Sequence, residues 1–211
     1  FIVDGATQSD FIWNDRAAAV DSRVFQAVAT GGLLFRSLTD AGGLKNEIFT
    51  ITSAGTVGFG TTNPQTKTHS AETGTATVRG ILSAQYNTGV QGAQFLGRKA
   101  RGTEASPLTV VSSDLLGALV AEGHDGSNYL QMAAIQLESI GTIAATRVPT
   151  RITFWTATNA TPSVLTERWR MTEAGHLVAA TDNAVDIGAS GATRPRSIYL
   201  GTDILPNNTV S

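Results

Sequence analysis

The chain has 211 residues, a formal net charge of −2, 41% hydrophobic residues and only 15% charged ones, against about 25% charged in an average soluble domain. It offers no general field for nucleic acid, is too apolar for disorder, and has neither a run near the roughly 20 apolar residues that span a bilayer nor a secretory leader pattern. Without cysteine it can hold no disulfide, cysteine–zinc site or thiol nucleophile.

Phe1 opens the chain in mid-pattern, which reads as a fragment or a processed form. Arg16 to Gln26 is the best candidate for a helix, though Gly31 and Gly32 soon follow. Val24 to Val28 and Leu33 to Thr39 are strand-like runs on either side of a Thr30-Gly31-Gly32 turn. Glu47 to Thr52 alternates, with Phe49 and Ile51 on one face, then Ser53-Ala54-Gly55 turns the chain into Val57 and Phe59. Short alternating runs bounded by such residues signal hairpins. Thr61 to Gly80 is rich in Thr, Ser, Ala and Gly and reads as a thin connector. The probable strands of the part that follows are Leu115 to Glu122, Tyr129 to Leu137 and Arg151 to Thr156, with Gly123 to Asn128 as a turn. In the last of these Ile152 and Phe154 share one face, and Arg151, Thr153 and Trp155 the other. Beyond Gly175 short apolar patches alternate with turns at Asp186-Ile187-Gly188, Arg194-Pro195-Arg196 and Ile198 to Gly201.

One phrase occurs twice. Ile51-Thr52-Ser53-Ala54-Gly55-Thr56-Val57 matches Met171-Thr172-Glu173-Ala174-Gly175-His176-Leu177 in its apolar, Thr, Ala-Gly and aliphatic positions. Each copy predicts a strand, a turn with glycine at positive φ, and a second strand. The segments near both ends have too few large apolar groups to form a core alone. Sharing a core with identical neighbours would resolve this, so an elongated homo-oligomer is expected.

Phe49 to Pro64 resembles a phrase widespread in phage tail fibre proteins, which usually have an aliphatic residue where Phe59 stands. Gly97-Arg-Lys-Ala-Arg-Gly-Thr103, Ser113-Asp-Leu-Leu-Gly117 and His124-Asp-Gly-Ser127 resemble a second fibre module, as do Arg151-Ile-Thr-Phe154 and Leu165 to Met171. Asp186 to Gly191 and Arg196 to Gly201 resemble the segment that commonly follows. The resemblance covers most of Asp21 to Ile204 and implies a homotrimer, a virion location, attachment to a host surface and often a cleaved C-terminal chaperone domain, of which no sign is seen here. The combined expectation is an all-β, elongated homotrimeric fibre segment, with thin intertwined β stem parts flanking a small β-sandwich-like domain. Its divisions are 1–60 as an N-terminal hairpin module, 61–80 as the connector, 81–172 as the globular domain and 173–211 as a C-terminal stem. The expected partners are two further copies, other virion tail or fibre proteins and a host surface glycan, with no nucleic acid and no membrane insertion. Attachment to the capsid as a decoration fibre is an alternative.

No catalytic residue, cofactor or metal is expected. Gly58-Phe-Gly-Thr-Thr-Asn63 lacks the third glycine and the helix of a phosphate-binding turn, so turns or close packing are the better reading. His69, His124 and His176 form no close pair. Asp125 to Asn128 is oxygen-rich but falls short of a calcium loop. Asp114, Glu122, Glu138 and Glu167 could serve a glycosidase only as a facing pair. The enzyme alternative, a tailspike depolymerase, would usually show long regular strand repeats, which are absent. Arg98 and Arg101 lie in the densest basic run and are read as paired with carboxylates across a subunit interface or solvated, with an acidic ligand as the sharper alternative. Tyr86, Tyr129, Trp155 and Trp169 are the aromatic residues suited to sugar stacking. For Trp155, burial between subunits is favoured over a glycan platform.

Overall fold

The computed structural model describes residues 9–14, 24–29, 31–39, 44–72, 80–188, 191 and 195–197. The described residues are all-β and contain no helix. Of the expected helix, 16–23 lie outside the described residues and Val24–Gln26 belong to a strand. Of the C-terminal patches, Asp186–Gly188, Pro195 and Arg196 are described, and Arg194 and 198–201 are not.

The first sheet holds six strands in chain order: β1 Ser9–Asn14, β2 Val24–Ala29, β3 Gly32–Leu38, β4 Leu44–Thr52, β5 Val57–Phe59 and β6 Thr68–Ser70. Neighbours are antiparallel except β5 and β6, which run parallel. β6 lies within the segment read as a connector. Across β3, β4 and β5, Phe35, Phe49 and Phe59 stack at centroid distances of 5.9 and 5.3 Å. Aromatic cross-strand pairs of this kind hold register. Gln26 is buried on β2 and its Oε1 accepts from Arg36 Nε at 2.6 Å.

A two-residue ribbon follows, β7 Arg101–Gly102 with β8 Pro107–Leu108. The second sheet is an antiparallel meander of β9 Leu115–His124, β10 Tyr129–Ser139, β11 Thr150–Ala157, β12 Leu165–Met171 and β13 Leu177–Ala179. β9 and β13 are its two edges. A single sheet is one layer, so the sandwich-like packing expected here needs a further layer from outside it. β13 falls in the segment read as a stem but belongs to this sheet.

The repeated phrase folds twice into the same hairpin. Gly55 N donates to Thr52 O at 2.9 Å and Thr52 N to Thr56 O at 3.0 Å. In the second copy Gly175 N donates to Thr172 O at 2.9 Å and Thr172 N to His176 O at 2.9 Å. Each threonine Oγ1 also accepts from the amide four residues on, at 3.2 Å in both copies. The glycines sit at φ +70° and +83°, the left-handed region that closes a three-residue loop.

The chain divides into two units, Phe1–Ala93 and Gln94–Ser211. Among the described residues only Val28, Leu38, Val110 and Ala134 are buried apolar side chains, against five buried polar ones. Among the described residues neither sheet therefore shows the apolar core that sheets ordinarily pack upon.

Candidate functional site

The second sheet presents two chemically different faces, because cross-strand partners in an antiparallel pair share a face. One carries Arg151, Thr153 and Trp155 of β11, opposite Glu138, Gln136 and Ala134 of β10. Arg170 of β12 stands opposite Thr153 on the same face. Its charges are closed on themselves. Arg151 Nη2 lies 2.7 Å from Glu138 Oε2, and Arg170 Nε 2.6 Å from Glu167 Oε1. Trp155 is half-buried here, and its indole N–H donates to Oγ1 of the fully buried Thr153 at 2.8 Å.

The other face carries Ile152 and Phe154, with Leu137 and Ile135 beside them on β10. Leu119 of β9, Met171 of β12 and Leu177 of β13 extend it to both edges. Leu119, Ile135, Leu137, Met171 and Leu177 are all exposed. These exposed apolar side chains form one continuous face across the sheet.

The end of the sheet nearest β9 is clasped. Arg101 Nε and Nη2 donate to Asp114 Oδ2 and Oδ1 at 2.9 and 2.7 Å, a bidentate pair. Val111 N also donates to Asp114 Oδ2 at 2.9 Å. The Arg101 guanidinium, then the Val111 amide, hold the Asp114 carboxyl well below the usual carboxylate range. Buried Ser139 completes the clasp, its Oγ donating to Val111 O at 2.6 Å while its carbonyl accepts from Ser113 N at 2.7 Å. The carboxylate partner expected for Arg101 is thus Asp114 of the same chain. Arg98 is exposed in the run before β7.

The β9–β10 hairpin outruns β11, whose pairing with β10 begins at Ala133. Its tip is tied by local polar contacts. Asp125 Oδ1 accepts from the Ser127 and Asn128 amides at 2.7 Å each, and His124 Nδ1 from Gly126 N at 3.1 Å. The Asn128 and Ser127 amides lower the Asp125 pKa. Tyr129 is exposed at this tip, its ring edge-on to His124 at 4.9 Å.

The remaining polar candidates stand apart. His69 Nδ1 accepts from Gln65 N at 3.3 Å, and His176 lies exposed in the second repeated hairpin. Among the described residues no three His, Asp or Glu side chains come together as a metal site would require. Glu122 is exposed on β9. Gly58 and Gly60 are points of close backbone approach, where a Cβ would meet the Thr61 and Ala71 carbonyls. Sequence reasoning missed the apolar face. Leu119, Ile135 and Leu177 carry an alternating signal, but which side that signal faces depends on pairing.

No family model and no curated protein matches the sequence. The fold is that of a bacteriophage tail-fibre domain. It is similar to the carboxy-terminal domain of the bacteriophage T5 L-shaped tail fibre, at 14% identity and a TM-score of 0.65, over 94% of this chain and 87% of that one. It is also similar to that domain with its intramolecular chaperone domain, at 14% identity and a TM-score of 0.68, over 96% of this chain. The match spans 61% of that longer chain.

Proposed function

We propose that the chain is a structural segment of a phage virion fibre, located on the tail, that works as a homotrimer and supports attachment to the host surface. The observation that carries this reading is a tail-fibre fold whose second sheet leaves its apolar face open. In a trimer three copies of the apolar face would pack together and supply the missing layer, with thin intertwined stem parts on either side.

The reading is non-catalytic. Asp114, Glu138 and Glu167 are each engaged by an arginine of their own chain, an arrangement suited to holding structure. Tyr129, exposed at the protruding hairpin, is the aromatic residue we assign to contact with a host glycan, and Trp155 is assigned to an interface. Purified chain should bind host cells and compete with phage for adsorption, and Tyr129→Ala should weaken that competition while leaving the oligomer intact. Absence of cell binding would reduce the role to a shaft, and immunogold labelling of the capsid would replace the tail assignment. Loss of polysaccharide viscosity on adding the chain would favour a depolymerase.

A further inference from the structure

Residues 81–97 read Ile-Leu-Ser-Ala-Gln-Tyr-Asn-Thr-Gly-Val-Gln-Gly-Ala-Gln-Phe-Leu-Gly, without one charged side chain. From Leu82 to Gln91 the run alternates strictly. Leu82, Ala84, Tyr86, Thr88 and Val90 take one side, and Ser83, Gln85, Asn87, Gly89 and Gln91 the other. This period of two is the signature of a strand with one buried face. Yet the segment is no strand in this chain. It carries no regular structure, only a bend at Asn87–Val90. Among the described residues, 81–93 take no backbone hydrogen bond from the strands of their own unit, nor do 94–100 from theirs. Its apolar side lies open, with Leu82 87%, Tyr86 94% and Val90 99% exposed. Among the described residues the segment has neither the ladder nor the buried side that a strand pattern predicts, and Gly89 N donates instead to Asn87 Oδ1 at 2.7 Å.

The second sheet has the complementary vacancy. β9 is an edge ten residues long, paired only through β10. Edge strands are commonly blunted by charge or proline. Leu115 to Ala121 contain neither, and Glu122 is the first charged residue of the strand. The segment's own end comes close to this edge, the Cβ position of Gly97 lying 3.3 Å from Leu116 O at the N-terminal end of β9. The residues before it, 94–96, form no ladder with β9.

We infer that residues 81–96 of one copy add a strand to the β9 edge of a second copy. The inference rests on the homotrimer proposed above and assigns the contact that interlocks its subunits. A strand donated to a sheet edge satisfies its backbone through the ladder and buries alternate side chains. An uncharged segment suits an edge that is uncharged over most of its length. The occupant is another copy because the homotrimer proposed above brings one donor segment and one open edge per chain together in equal number. A neutral apolar segment left open would also be an aggregation site unless its partner were made alongside it in equal number.

Hydrogen exchange on the full chain, in a sample shown to be trimeric by native mass spectrometry, tests the pairing. Amides between Leu82 and Gln91 should exchange at least ~100-fold more slowly than in a free peptide, since a paired strand must open first. The absence of native cysteine permits a direct test of the partner. Chains carrying cysteine in place of Leu82, Ala84, Tyr86, Thr88 or Val90 are co-expressed with separately tagged Leu119→Cys chains, Leu119 being the β9 residue placed on the apolar face. At least one position should give a disulfide between the two tags. Exchange at free-peptide rates in a verified trimer overturns the inference and leaves the homotrimer standing. Protection with disulfides only inside doubly substituted chains also overturns it, by showing that the strand is added in cis. A monomeric chain removes the homotrimer itself and the inference with it.

Discussion

At the scale of single residues, the two repeated hairpins show how little chain is needed to specify a turn. Gly175 sits at φ +83° with nothing within 4 Å of where a Cβ would stand, so a substitution there meets backbone strain alone. The left-handed region costs an L-residue about 1–2 kcal/mol. Gly175→Ala should therefore lower the stability of the second unit by about that amount in denaturant titration, and Gly175→Asn by less. Asp114 gives a prediction in pH. Its pKa is depressed in the folded chain by Arg101 and the Val111 amide, below an ordinary value of 3.8. A depressed carboxylate stabilises fully above its unfolded pKa, and that contribution shrinks as pH falls towards the folded value. The stability of the chain should thus decline on acidification below about pH 4, with Asp125 acting in the same direction. Asp114→Asn should be less stable at neutral pH and should show a shallower acid limb. An equally steep limb would place the acid response elsewhere.

At the scale of elements, the second sheet divides its labour by face. Paired charges and buried Thr153 occupy one side, where each polar group is answered within the chain. The other side is apolar and open, and in the proposed homotrimer its energy would be realised against a partner. Ile135 lies near its middle, between Leu119 of β9 and Phe154 of β11. Ile135→Lys would place an unpaired cation where three copies are proposed to meet, and burying such a charge costs several kcal/mol. The variant should sediment as a smaller species than the parent, while a change on the exposed hairpin tip should not. Much of this division was legible beforehand. Arg151, Thr153 and Trp155 stand together, opposite Ile152 and Phe154, as strand alternation requires. The pairing of Arg101 with Asp114 was not legible, because the two stand thirteen positions apart with the turn of a ribbon between them, and only the chain path brings them to 2.7 Å.

At the scale of the whole molecule, the described residues bury little: the four buried apolar side chains among them offset only a small part of the entropy of ordering them. Its stability should therefore depend on association. Reversible unfolding should shift to lower temperature on dilution, by mass action, which a monomeric fold would not show. Differential scanning calorimetry over a hundred-fold range of chain concentration checks this directly.

What the sequence determined by itself was local. The strand runs, the two Ala-Gly turns, the shortage of large apolar groups and the resemblance to fibre modules all follow from residues close together in the chain. Backbone torsions and alternation act over a few residues, so neighbouring residue types are enough to specify them. The tertiary structure alone decided the registers. β10 slips against β9 between Gln131 and Ala133 and again between Leu137 and Glu138, and β12 slips against β11 between Phe154 and Trp155. Each bulge changes which residues share a face, and no local residue pattern announces it. Hence the apolar face from Leu119 to Leu177, the Arg101 clasp and the open β9 edge emerged only when distant strands were laid side by side, since each depends on contacts between residues far apart in the chain.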